Sequence, residues 1–169
     1  MSGSDRPLTL VIGIGNPDRG DDGVGPEVAR RLHGRLPATA GILKRSGDAI
    51  ALIEDWKGFS SVILADAVAP IAEPGRIHRL DLAKNPLPVA FSPGSTHAFG
   101  LAETVELARS LGRLPPFLVA YLIEGEQFEA GGPLSPMVSK AVDTAVEQIT
   151  RELSAIEEIP RVQGTSRNA

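Results

Sequence analysis

The 169-residue chain contains no cysteine. That rules out a disulfide framework, a zinc knuckle, an iron–sulfur cluster and a thiolate nucleophile. Any metal the protein meets must therefore be met by carboxylates and imidazole, and histidine is rare too, with three in the chain. Positive charge is not in excess: the formal net charge is -4. A protein whose main task is to hold nucleic acid or anionic lipid needs a clustered positive field, so neither is the expected partner. No apolar run approaches the roughly 20 residues of a membrane span. The start, MSGSDRP, lacks the basic and long apolar regions of a secretory signal. The expected location is the cytoplasm. What is present is a domain-sized chain with 42% hydrophobic residues. That is enough to bury about 70% of the unfolded surface in a single core. Residues 1–160 are expected to form one domain, and the polar stretch 161–169 a disordered tail.

The run Leu8 to Ile14, LTLVIGI, is short, apolar and partly β-branched, as a strand buried on both faces should be. After a glycine-rich loop from Gly15 to Gly25, PEVARRLHGRL opens with Pro26 and spaces Val28, Leu32 and Leu36 at helical intervals. Gly41 to Arg45 is a weaker strand candidate, Ala49 to Trp56 a short helix, and Ser61 to Ala65 a buried strand with Asp66 at its exit. This alternation predicts an α/β domain with helices on both faces of a mostly parallel sheet. Further on, Arg76 to Leu82 reads as an edge strand after the Pro74-Gly75 turn, and Lys84 to Ser95, with three prolines, as loop. Thr96 to Leu111 reads as a helix, Phe117 to Ile123 as the fifth strand and Gly125 to Leu134 as loop. A last helix starts at Ser135-Pro136 and carries the stripe Val138, Val142, Val146 and Ile149.

In open α/β sheets, ligands collect beyond the carboxyl ends of the strands. Three places qualify: the loop GIGNPDRGDDGVG, Asp66, and the segment SPGSTHAFG. The first loop resembles a dinucleotide fingerprint for only two glycines. Its third glycine position falls on Asp18, and Asp18, Asp21 and Asp22 would repel a pyrophosphate. Adjacent Asp21 and Asp22 near a helix start could simply cap amides. With a parallel sheet, however, Asp22, Asp66 and His97 all arise at the same end, a donor set that first-row divalent ions accept while leaving coordination positions open. Nickel, zinc and manganese are not separated by these ligands. A metal-free alternative, in which Asp22 and Asp66 share a proton, needs the carboxyl groups about 3 Å apart. His33, in an arginine-rich helix, and His78, in the edge strand, are expected to be surface residues.

The stretches GIGNPDRGDDGVGPEVARRL, VILADAV and STHAFGLAETVELA, in that order, closely resemble the hydrogenase maturation endopeptidases, the nickel-dependent processing proteases of [NiFe] hydrogenases. The resemblance runs from Leu8 to about Leu153. It implies a single three-layer α/β/α domain with a mostly parallel twisted sheet of about five strands. It also implies a protease that removes a short carboxy-terminal extension from the hydrogenase large-subunit precursor after nickel insertion, with nickel supplied by that substrate rather than held permanently. The metal-contacting positions of the family fall on Asp22, Asp66 and His97; Asp22 and Asp66 are the expected catalytic residues, either by holding a metal that polarises a carbonyl or water or by acting as bases, and the sequence does not choose between the two. Some members carry glutamate at the position of Asp22. The Asp-Gly-Gly-Thr stretch common after the second strand is replaced here by RSGDAIAL, in which Asp48 stands in for part of it. Asn16 and Asp48 are the expected substrate-binding residues, and a monomer is the expected form. Two other functions fit the same residues: a general metal-dependent peptidase carrying its own ion, and a maturation chaperone that docks the subunit without cutting it.

Overall fold

The computed structural model describes residues 8–91 and 96–159, residues 96–99 by their backbone alone. The expected tail, 161–169, lies outside the described residues. The chain runs β1 (Thr9–Ile14), α1 (Val24–Leu32), β2 (Ala40–Arg45), α2 (Ala49–Asp55), β3 (Ser61–Val68), β4 (Ile77–Asp81), α3 (Thr96–Ser110), β5 (Phe117–Glu124) and α4 (Pro136–Glu157). Short 3-10 turns occupy Gly20–Gly23 and Val89–Phe91. The strands form one sheet in the order β2-β1-β3-β5-β4, parallel throughout except for β4, which pairs antiparallel with β5.

Period-two alternation along the buried strands separates two apolar layers. Leu10, Ile12 and Ile14 of β1 face one way, with Leu52 and Trp56 around α2 and Leu101 and Val105 of α3. Val11 faces the other way, with Val24 and Val28 of α1 and Val142, Val146 and Ile149 of α4. These are the three layers. Trp56 is fully buried, and its indole N–H donates to the Arg113 carbonyl at 3.1 Å, so its one polar atom is satisfied.

The chain leaves β1 toward one face, through α1, and reaches α3 on the other face after β3 and β4. The β1/β3 border is therefore the topological switch point, where such folds open a crevice at the carboxyl end of the sheet. Two boundaries differ from the sequence reading in ways that matter here. First, α1 stops at Leu32 rather than Leu36, because Gly34 takes φ 82°, a left-handed conformation that ends helices. Second, β3 continues to Val68, since its pairing with β5 extends to Val68↔Glu124. Asp66 thus sits within the last turn of pleat rather than after it.

Candidate active site

Asp22 and Asp66 are delivered to the same end of the sheet by different means. Asp66 is fully buried within β3, one residue beyond Ala65, which lies in register with Gly13 of β1. Its Oδ1 accepts from the Ala67 amide at 2.8 Å. Asp22 is 3% exposed in the 3-10 turn after β1, and that turn packs against β3. Its Oδ2 accepts from the Asn16 amide at 2.9 Å, which pins the carboxylate back onto the start of its own loop. The remaining oxygens, Asp22 Oδ1 and Asp66 Oδ2, are buried as well.

Two glycines make this approach sterically feasible. A Cβ on Gly25 would lie 2.1 Å from the Ile14 carbonyl oxygen and 2.5 Å from that of Ala65, so the first turn of α1 seats directly on the two central strands beside Asp66. Gly15 has φ +141°, and a Cβ there would come within 1.9 Å of the Asp22 carbonyl oxygen. The glycine run read from sequence as a sharp turn is thus what allows a carboxylate to be packed into the sheet edge.

The first turn of α3, which carries His97, reaches the same end by backbone topology. β5 begins at the opposite end, and the short connection from Ser110 to Phe117 fixes the carboxyl end of α3 there. Fifteen residues of α3, about 22 Å of helix, bring Thr96 back toward the carboxyl edge. The His97 side chain lies outside the described residues, and no three His, Asp or Glu side chains among the described ones gather as a metal site.

The two expected substrate-binding residues lie on the exposed rim of this edge. Asn16 Oδ1 accepts from the Asp18 amide at 2.9 Å, which closes the turn at Pro17. Asp48 follows β2 and caps α2, accepting from the Ala51 amide at 2.8 Å.

Asp21 has a role that sequence reasoning did not separate from that of Asp22. It is fully buried, yet no side chain caps the 3-10 turn in which it stands. Its carboxylate instead accepts from the amides of Glu126 at 2.8 Å, Gln127 at 2.9 Å and Ser135 at 2.7 Å, and from the Ser135 hydroxyl at 2.7 Å. Its own amide donates to the Gln127 carbonyl at 2.8 Å. Asp21 therefore stitches the first loop to the loop between β5 and α4 and anchors the peptide that bears Asp22. Ser135 does precede α4 as its N-cap residue, but its hydroxyl is spent on Asp21 and caps nothing.

Glu124 is the other buried acid that the apolar run FLVAYLI concealed. It closes β5 at the same edge, fully buried. Its Oε2 accepts from three successive amides, Ile71 at 3.1 Å, Ala72 at 3.0 Å and Glu73 at 2.8 Å. Its Oε1 lies 2.8 Å from His78 Nε2. This corrects the expectation that His78 is a surface residue. Antiparallel pairing sets His78 against Leu122, and its ring reaches diagonally to Glu124, where it also meets Phe91 edge-on at 4.9 Å. His33 is exposed, as expected.

Burial pushes the Glu124 carboxyl up, but the His78 and backbone hydrogen bonds outweigh it and hold the group below its usual value of 4.5. Because the native state binds this proton less readily than the unfolded chain, the stabilisation is present above about pH 4.5 and is lost as pH falls through the lowered native value. Acid titration followed by circular dichroism should therefore show a flatter loss of stability in Glu124→Gln than in the wild type. Equal acid slopes would contradict this.

The comparisons with known proteins fit this geometry. The family model described as HycI, hydrogenase maturation protease, matches residues 27–152, a span that includes Asp66 and His97. The Hydrogenase 2 maturation protease of Escherichia coli (strain K12) is 30% identical over 158 residues, covering 90% of this chain and 95% of the relative. A hydrogenase expression/formation protein HupD from Bradyrhizobium diazoefficiens is 29% identical, covering 82% of this chain and 73% of that protein. Among solved structures, the hydrogenase maturating endopeptidase HybD from E. coli superposes with a TM-score of 0.77 at 28% identity, over 88% of this chain and 93% of that one. With two buried aspartates at the switch point and these relatives spanning nearly the whole chain, the protein belongs to the hydrogenase maturation protease family of endopeptidases.

Proposed function

We propose that the protein removes a carboxy-terminal extension from the large-subunit precursor of a [NiFe] hydrogenase after nickel insertion, and that Asp22, Asp66 and His97 meet the nickel carried by that precursor. The observation that carries this reading is the convergence of two buried carboxylates and the first turn of α3 on one sheet edge. Oxygen and nitrogen donors without thiolate suit a passing inspection of a metal that belongs to another protein. Substrate nickel supplies Lewis acidity to the peptide bond near it.

The chain's own residues prepare for that encounter. The Asn16 amide fixes the direction of the Asp22 carboxylate, and the Ala67 amide fixes that of Asp66, before any precursor arrives. One or both then serve as base toward the attacking water. The exposed Asn16 and Asp48 flank this edge and contact the precursor chain around the cut. The setting is the cytoplasm, with the protein acting as a monomer. Membrane attachment through a spanning helix is not part of this reading, and no helix among the described residues is long and apolar enough to cross a membrane.

The test is to incubate nickel-loaded precursor with each variant and weigh the product. His97→Ala should lose processing by about two orders of magnitude or more, while the exposed His33→Ala keeps it. Equal processing by the two variants would remove His97 from the site.

A further inference from the structure

Asp66 lies past the point at which β3 is held on both sides. β1 and β3 are paired as far as Gly13↔Ala65, and β3 and β5 as far as Val68↔Glu124. Among the described residues, the last three of β3, Asp66, Ala67 and Val68, are therefore paired on the β5 side alone. Where Asp66 stands depends on what fastens that exit to β5.

Glu124, in register with Val68, takes the chain that leaves β3 and closes it back on β5. Its amide donates to the Arg76 carbonyl at 2.9 Å, and its carbonyl accepts from the Gly75 amide at 2.7 Å. Between β3 and that point, the successive amides of Ile71, Ala72 and Glu73 form a small anion cradle, filled by the Oε2 of Glu124 itself. Next along the chain, the Gly125 amide donates to the Val68 carbonyl at 2.8 Å. A Cβ on Gly125 would lie 3.0 Å from the Asp21 Cβ and 2.5 Å from the Phe128 ring, so the same exit also abuts the turn that bears Asp22. Glu124 and Gly125 thus touch both of the elements that deliver the two carboxylates.

Glu124 is too fully engaged to act on a substrate. One oxygen receives three N–H groups, the other faces His78 Nε2 at 2.8 Å, and the residue is fully buried. We propose that Glu124 is a positioning residue for the endopeptidase reaction: by fastening the exit of β3 to β5 it holds Asp66 in its place relative to Asp22. Taking the function proposed above, in which Asp66 acts at the peptide bond, loss of that fastening lowers kcat and spares substrate binding. The role depends on reach from β5 to the amides of residues 71–73, not on charge. Glutamine has that reach: its amide oxygen accepts from the same N–H groups, and its NH2 donates to His78 in the tautomer with a bare Nε2. Aspartate keeps the charge but is shorter by one carbon–carbon bond, about 1.5 Å, and cannot hold the cradle and His78 together.

Full-length Glu124→Asp and Glu124→Gln, assayed on nickel-loaded precursor at a temperature where circular dichroism shows both folded, decide between reach and charge. Glu124→Asp should lower kcat at least about tenfold with KM within about twofold, and Glu124→Gln should keep kcat within about threefold of wild type. Wild-type kcat in both would make Glu124 a structural residue only, and a loss in Glu124→Gln as large as in Glu124→Asp would make its charge the active feature. A raised KM with kcat kept would make the loop a binding element. Each of these results overturns the proposal. Should Glu124→Asp not fold, Gly125→Ala presses on the same exit with Glu124 intact: a kcat lower by at least about fivefold supports the role, and an unchanged kcat overturns it. The Ala67 amide, which donates to Asp66 Oδ1, gives a readout that needs no substrate. Its hydrogen exchange should be at least about tenfold faster in Glu124→Asp than in the wild type or Glu124→Gln, and unchanged exchange overturns the positioning role. A wild-type protein that cuts nothing, with Ala67 exchange accelerated in Glu124→Asp, counts against the proposed function and in favour of the fastening.

Discussion

Replacing Asp66 by asparagine is expected to reduce processing about a thousandfold while leaving the protein folded. Asparagine has the same shape, and its amide oxygen can keep the Ala67 hydrogen bond, so packing inside β3 is preserved. What disappears is the second carboxylate oxygen, and with it the group's ability to take or give up a proton, in a site with no exposure to water. With packing and the Ala67 bond kept, the variant should melt within about 5 °C of the wild type. Loss of activity with retained stability is the signature of a carboxylate kept for chemistry. A variant that still processes within about tenfold of wild type would show that Asp66 is a structural acid.

Asp21→Ala should fail in the opposite way, by weakening the fold first. Three amides and one hydroxyl lose their acceptor inside the protein. At roughly 1 kcal/mol for each stranded donor, the cost is about 4 kcal/mol. For a domain of this size that corresponds to a melting temperature lower by about 10 °C. Processing should fall as well, even at temperatures where the variant is folded, because the peptide that presents Asp22 loses its tie to the β5–α4 loop. Asp21→Asn, which keeps acceptor oxygen on one side only, should fall between the two. Thermal unfolding within about 1 °C of wild type in Asp21→Ala would contradict the anchoring role.

The contrast between these neighbours shows what was legible in the sequence. The order of strands and helices could be read because buried parallel strands are continuous apolar runs, and the helices that cover them carry apolar stripes. The same order placed Asp22 and Asp66 at one end, since a residue at the carboxyl end of a parallel strand has little choice of location. Partnerships across the sheet could not be read. Asp21 meets Ser135 from 114 residues away, and Glu124 meets His78 from 46. Nothing local distinguishes an aspartate that caps its own turn from one that holds a distant loop. Asp66 was misplaced by a strand end for a related reason, because the extension of β3 to Val68 is set by its pairing with β5 and not by its own sequence. His78 was misassigned because its polarity suits solvent as well as it suits a buried carboxylate, and only antiparallel register chooses between them.

Under the proposed function, the carboxylate edge acts on a peptide bond only when the precursor brings nickel to it. The most direct measurement is the mass of the large-subunit precursor after incubation with the full-length protein, with and without nickel loaded. A shortened product from the nickel-loaded precursor alone is the predicted result. Equal shortening of the nickel-free precursor would contradict the claim.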